Sequence, residues 1–181
     1  MRVITGSAHG MRLEAPEGMD VRPTTDKVKE SIFNIVQFDI PDSTVLDLFA
    51  GCGQLGIEAL SRGAKKAYFI DSSSKSLEFV RRNLEHTHFE NMAEVRNADS
   101  LQFLKSTAET FDIAFLDPPY RKQITAGALP LLAEKMSEEG VIVCETAFEE
   151  ELPETVGKFG VFKEYKYGKI KLTLYKKREE A

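Results

Sequence analysis

Apolar and polar positions alternate with one rhythm in the first 40 residues and with another from Val45 onward. Residues 1–14 alternate loosely about Gly6 and Gly10, which predicts a short hairpin. Pro16, Gly18 and Pro23 break that pattern. Thr24 or Thr25 then caps a helix over 26–37, whose apolar face is Val28, Ile32, Ile35 and Val36. Pro41 ends this front piece. Beyond it, short apolar runs alternate with helical patterns. Val45 to Phe49 reads as a buried strand, followed by glycines and a helix with Leu55, Ile57, Ala59 and Leu60. Ala67 to Ile70 is the next strand, and Asp71 ends it. Ser73 or Ser74 caps a helix carrying Leu77, Val80 and Leu84, with a Glu78–Arg82 pair on its outer side. A weaker strand is expected at 93–97, then a strand from Phe111 to Leu116, a helix over 124–136 and a strand from Gly140 to Glu145. Residues 160–167 and 169–175 alternate around Gly168, as an antiparallel hairpin does.

Repeated strand–helix units predict an α/β fold with a mainly parallel sheet and helices on both faces. In such sheets ligands bind at the carboxyl ends of the strands, near the point where the strand order reverses. Residues 1–40 are expected to form an extension beside a main domain of residues 41–181. The 181 residues can bury a core without covalent staples. Cys52 and Cys144 fit no zinc spacing and read as reduced thiols. The longest apolar runs are far short of the roughly 20 residues a bilayer demands, and the start has no signal-peptide pattern. These features together predict a cytoplasmic protein with no metal and no membrane partner.

Charge adds one complication. The net charge is −5 and the isoelectric point near 5.4, whereas a protein gripping nucleic acid over its whole surface would be basic. The distribution is uneven. Residues 138–154 hold seven acids and no Lys or Arg, while residues 158–178 hold eight bases against Glu164 alone. The cationic hairpin is expected mainly to balance the acidic stretch, its lysines also keeping an edge strand from aggregating.

Two motifs fall where the topology puts ligands. Gly51-Cys52-Gly53-Gln54-Leu55-Gly56 fits G-x-G-x-x-G, with Asp71 20 residues beyond Gly51. Alone this suits a nicotinamide dinucleotide as well as any other nucleoside ligand. Asp47, within the strand four residues before Gly51, shifts the balance. A dinucleotide brings two phosphates to this loop, and an acid upstream opposes them. S-adenosylmethionine brings a sulfonium and an ammonium, which an acid favours. Asn97-Ala98-Asp99 can accept from an adenine amino group, and Asp99 can equally cap the helix beginning at Ser100.

The second motif is Asp117-Pro118-Pro119-Tyr120, directly after the fourth strand. Neither proline has an N–H, so the turn offers acceptors and few donors. Such a turn suits an exocyclic amine with two hydrogens to give: one to Asp117, one to the Pro118 carbonyl. Tyr120 can stack on a base.

With these residues in view, the sequence resembles a known family. Leu46-Asp47-Leu48-Phe49-Ala50-Gly51-Cys52-Gly53 with Asp117-Pro118-Pro119-Tyr120 looks like the class I amino-methyltransferases acting on nucleobases. More narrowly it resembles the RsmD-type guanine-N2 methyltransferases of bacterial 16S rRNA. That narrower match rests on Arg2-Val3-Ile4-Thr5-Gly6, on Arg22-Pro23-Thr24 with Glu30 to Asn34, on Leu55 to Ala64, and on the Tyr167-Gly168 turn. The resemblance implies a Rossmann-like sheet of seven mostly parallel strands with an antiparallel closing hairpin, plus a small N-terminal hairpin and helix. It implies S-adenosyl-L-methionine as cofactor. The implied substrate is the N2 amine of one guanine, guanine-966, of 16S rRNA in the small subunit or its assembly intermediate. By position, Asp47, Phe49, Gly51, Gly53, Asp71, Ser72, Asp99, Ser100 and Asp117 would hold the cofactor, with Arg22 and Thr24 bordering it. Asp117, Pro118, Pro119 and Tyr120 would hold and activate the base. Arg2, His9, Arg12 and Arg22 are expected to touch RNA phosphates, and a monomer is expected. Cys52 stands where the family often has serine, Asp71 where a longer glutamate is usual, and His9 where a basic residue is usual.

The rival readings are an adenine-N6 DNA methyltransferase, a methyltransferase of proteins or small molecules, a nicotinamide dehydrogenase, and an rRNA-binding module without activity. The chain has no room for a separate DNA-reading domain. His9, His86 and His88 have no clear route to the strand ends, which disfavours hydride chemistry.

Overall fold

The structure, a computed structural model, describes residues 1–17, 26–119 and 124–179. Its elements are helix α1 (Asp26–Ile35), strand β1 (Thr44–Asp47), α2 (Gln54–Ser61), β2 (Lys66–Asp71), α3 (Ser74–Thr87), β3 (Ala93–Asn97), α4 (Ser100–Ser106), β4 (Phe111–Leu116), α5 (Ile124–Ala133), β5 (Met136–Ala147), β6 (Thr155–Val156), β7 (Phe159–Tyr167) and β8 (Ile170–Lys177). The strands form one sheet in the order β3-β2-β1-β4-β5-β8-β7-β6. The first five run parallel, and β8, β7 and β6 close the sheet in antiparallel fashion. The sheet therefore has eight strands where seven were expected. The additional β6 is only two residues long, too short to show alternation, and pairs with β7 across Gly157 at φ +57°.

Helices cover both faces. One face buries Val28, Ile32 and Phe33 of α1, Leu55 and Ile57 of α2, and Leu77 and Val80 of α3 against Val45, Phe69, Ile113, Phe115 and Val143. The other packs Phe103 and Leu104 of α4 and Leu129 and Leu132 of α5 on Leu46, Tyr68, Ala114 and Ile142. This two-sided burial explains why the parallel strands read as unbroken apolar runs.

The front piece departs from expectation. Arg2 and Arg12 form a single antiparallel bridge, with ladder-like bonds from the N–H groups of Val3, Gly10 and Leu13 to the carbonyls of Met11, Val3 and Met1, and the ladder goes no further. The intervening N–H groups bond elsewhere: those of Ile4 and Thr5 to the Glu58 carboxylate, those of Ser7 and Ala8 to Ser61. No hairpin ladder can propagate when its donors are claimed by a helix. The segment nevertheless buries Val3, Ala8 and Leu13 in the first core. The Glu78–Arg82 pair is also replaced, since Arg82 pairs with Glu14 of this segment (3.6 Å) and lies over the Phe79 ring.

Candidate active site

Four loops leave the carboxyl edge of the sheet side by side, because β1 is flanked by β2 and β4 and the chain order reverses between β1 and β4. Asp47 is the last residue of β1 and the glycines lie in the turn after it. Asp71 is the last residue of β2, and the turns after β3 and β4 begin at Ala98 and Asp117.

Asp47 is buried, and its Oδ2 accepts the Gly56 N–H at 3.0 Å. Burial pushes its carboxyl up to about 7, the Gly56 bond opposing this and nearby Asp71 adding to it. A carboxyl so placed ionises readily only beside a positive charge. Gly51 and Gly53 both take positive φ (+58° and +85°), and a Cβ on Gly51 would meet nothing within 4 Å. Gly51 thus presents bare backbone to open space, as a closely approaching ligand requires, whereas a Cβ on Gly53 would lie 3.3 Å from Phe69 Cε1, against the core. Gly56 has a different task. A Cβ there would lie 2.3 Å from Phe69 Cε1, so this glycine lets α2 pack tightly on β2.

Asp71 braces the loop: its Oδ2 accepts the Gly51 N–H (2.9 Å) and its Oδ1 the Ser73 N–H (2.8 Å). Each oxygen retains a second lone pair for a hydroxyl donor. The Asp71 carbonyl accepts from Asn97 Nδ2 (3.1 Å) and Ala98 N–H (3.1 Å), tying the second and third loops together. Asp99 Oδ1 caps α4 through the N–H groups of Leu101 and Gln102. Phe49 and Asp117 are half-buried, Ser72 is exposed and Ser100 is buried. Pro118 is buried and Pro119 exposed. Asp47 pairs in register with Phe115, so Asp47 and Asp117 belong to adjacent strand ends. Arg22, Thr24 and Tyr120 lie outside the described residues, as do the expected caps Thr24 and Thr25.

Arg2 and Arg12, bridged to each other, line a cavity of about 490 Å³ together with Met1, Gly10 and Asp26. Arg2 Nε lies 3.4 Å from Asp26 Oδ2. His9 is exposed on the same segment. The cavity adjoins the glycine loop, since the Cys52 thiol contacts the Met1 sulfur at 3.2 Å.

The family model described as conserved hypothetical protein 95 matches residues 1–176. YlbH of Bacillus subtilis is 44% identical over 183 residues, 98% of this chain and 100% of that one. Ribosomal RNA small subunit methyltransferase D of Escherichia coli is 32% identical over 183 residues, covering 100% of this chain and 92% of that one. The chain belongs to the ribosomal RNA small subunit methyltransferase D family. The yhhF structure of Escherichia coli superposes with a TM-score of 0.88 at 34% identity, over 99% of both chains, and the fold is that of the class I methyltransferases.

For a member of this family, sequence reasoning located the loop residues but assigned no role to three buried polar groups. Glu58 is fully buried in α2, its Oε1 accepting Arg62 Nε (2.9 Å) and Thr5 N–H (3.0 Å). Its Oε2 accepts Ile4 N–H (2.8 Å) and Lys29 Nζ (3.1 Å). Lys29, 1% exposed, also donates to the Arg2 carbonyl at 2.9 Å. Burial lowers the Lys29 pKa, and Glu58 opposes that shift. Asn83 is the third, bonded to Glu14 and Cys52. The available signal was a charge or amide set where its neighbours at helical spacing are apolar. No group of three His, Cys, Asp or Glu suited to a metal occurs among the described residues, and none of their helices is long and apolar enough to cross a membrane.

Proposed function

We propose that this chain transfers a methyl group from S-adenosylmethionine to the N2 amine of one guanine, guanine-966, of 16S rRNA, in the small subunit or its assembly intermediate. It works as a cytoplasmic monomer, with residues 1–40 flanking the site and residues 41–181 carrying out the transfer. The methyltransferase family supports the reaction class. The observation that carries the reading is the pairing of a buried carboxylate at the end of β1 with an acceptor turn at the end of the adjacent β4.

S-adenosylmethionine supplies, when bound, an electrophilic methyl group on a sulfonium. The residues present fit it: an acid, a bare glycine cradle and no concentration of cations in the loop. Asp47 balances the positive charge, Gly51 admits the methionine part to the backbone while Gly53 shapes the turn around it, and Asp71 with Ser72 takes the ribose. Asp99, Ser100 and Phe49 surround the adenine, and Arg22 and Thr24 border the pocket.

Asp117 and the Pro118 carbonyl each accept one hydrogen of the guanine amine. These bonds draw its lone pair out of conjugation and toward the methyl group; as the N–CH3 bond forms the methyl's bond to sulfur breaks, leaving S-adenosylhomocysteine, and the amine gives up one of its hydrogens as a proton. Pro119 contributes no donor that would compete, and Tyr120 stacks on the base, a contact worth roughly 1–3 kcal/mol. Acceleration then comes mainly from positioning and fixed electrostatics. Arg2, His9, Arg12 and Arg22 hold phosphates, which orients the RNA without reading its sequence.

The test is transfer of labelled methyl from S-adenosylmethionine to small subunits lacking the modification, with naked 16S rRNA alongside, read by nucleoside mass spectrometry. The expected product is N2-methylguanosine, with turnover falling by about 10²–10³ in Asp117→Ala. A methyl group found on adenine, or no transfer to either form of RNA, would sink the reading.

A further inference from the structure

Asn83 lies in the second half of α3, 1% exposed, behind the glycine loop and outside the residues assigned to cofactor or base. Its amide joins three parts of the chain. Nδ2 donates to the Cys52 carbonyl (2.9 Å) and to the Glu14 carbonyl (2.9 Å), while Oδ1 accepts the Glu14 N–H (2.8 Å). The Cys52 carbonyl sits between two glycines of positive φ in the cofactor loop. Glu14 closes the arginine-bearing segment, directly after the Leu13 N–H bonds Met1 and two residues past the Arg2–Arg12 bridge. A second contact joins the same two parts, Cys52 Sγ against Met1 Sδ. The far side of the segment is fixed separately on α2 by Glu58 and Ser61, and α2 itself begins at the cofactor loop.

We propose that Asn83 is a positioning residue that couples the two binding surfaces, so that a filled cofactor loop strengthens RNA docking and bound RNA strengthens cofactor binding by the same factor. This rests on the assignment of cofactor to the glycine loop and RNA to the arginine segment. The physical route is ordering. A ligand held by the loop fixes the Cys52 peptide between its two glycines. A fixed carbonyl holds the Asn83 amide, and the amide holds both polar groups of Glu14. The segment then has less freedom to lose when RNA arrives, which is cooperativity without a change of fold. Linkage makes the effect reciprocal.

The experiment measures the dissociation constant of a 16S rRNA fragment containing the target guanine, with and without saturating S-adenosylhomocysteine, on the full chain. Wild type is expected to bind RNA at least about fivefold more tightly with the nucleoside present, the lower end of ordinary coupling factors. The same ligand should slow amide exchange at Glu14. In Asn83→Ala the ratio falls toward one while each ligand still binds alone. Glu14→Pro removes the N–H that Oδ1 accepts together with the Arg82 ion pair, and should lower the ratio where Glu14→Ala, which loses the ion pair but keeps the N–H, does not, so the test survives if the Asn83 variant fails to fold. Independent binding in wild type, or an undiminished ratio in a folded variant, overturns the coupling. Failure of wild type to bind RNA under either condition overturns the functional reading beneath it, a distinct result.

Discussion

Asp47 sits at the tension between stability and binding. Its carboxyl titrates near 7 in the fold against an ordinary value of 3.8, because burial penalises the charge more than one N–H bond relieves it. The folded protein thus holds a proton on Asp47 that the unfolded chain releases between those two values. Stability from this residue is complete below pH 3.8, drains away as pH rises, and is gone above about 7. A gap of that size corresponds to roughly 4 kcal/mol at most. Asp47→Asn should therefore be more stable than wild type to urea at pH 8 and close to it near pH 4. Cofactor affinity runs the other way, since a cation selects the ionised form. Calorimetry on wild type should show binding strengthening from pH 6 to 8, and the asparagine variant should bind weakly at both. Affinity that is flat across that range would disconnect Asp47 from the cation.

At the level of elements, most of the architecture could be read from the residues. β4 spans Phe111 to Leu116 as the apolar run predicts, β3 occupies 93–97, and Ser73 and Asp99 cap α3 and α4 through their side chains. These are local signals, set by burial on both faces and by unsatisfied N–H groups at helix starts. The loops carrying Asp47, Asp71, Asp99 and Asp117 were legible for the same reason, each lying one step past a readable strand. The front hairpin was not, because its N–H groups bond Glu58 and Ser61 some 53 residues away. Alternation shows which residues of a segment are buried, not which partner takes its backbone. The mount leads to a ranked prediction. Glu58→Gln leaves Lys29 buried beside an uncharged amide and turns a donor toward donors, costing about 3–5 kcal/mol. Lys29→Met leaves Glu58 with Arg62 and two backbone N–H groups, costing about 1–3 kcal/mol. Urea unfolding should show that order, and limited proteolysis should cut within residues 1–14 faster in Glu58→Gln. The reverse order would mean that the lysine, not the carboxylate, anchors the segment.

Over the whole molecule, the net charge of −5 must be reconciled with an RNA substrate. The cationic terminal hairpin is largely occupied with its own neighbours. Lys158 pairs with Glu138 (2.7 Å), Lys177 with Glu138 (3.1 Å) and Glu139 (3.7 Å), and Lys171 with Glu164 (3.7 Å). Lys163, Lys166 and Lys176 lie over the rings of Tyr165, Phe148 and Phe162. Moreover β8 runs antiparallel to β5, so Lys176 and Lys177 end at the edge of the sheet opposite the carboxyl ends that carry Asp47 and Asp117. The arginine segment is the cationic surface beside the glycine loop, and its contacts are few. Each phosphate neutralised contributes about −0.7 to −0.9 to the slope of log affinity against log salt. Arg2, Arg12 and Arg22 therefore predict a shallow slope of roughly −2 to −3 for 16S rRNA. Arg12→Ala should remove about one such increment, whereas Lys176→Ala should leave the slope unchanged. A slope near −6 or steeper, or one that Lys176→Ala reduces, would move the RNA across the sheet to the terminal hairpin. A shallow slope fits an enzyme that recognises a shaped site through a small cationic foothold, its acidic remainder discouraging retention on RNA without that shape.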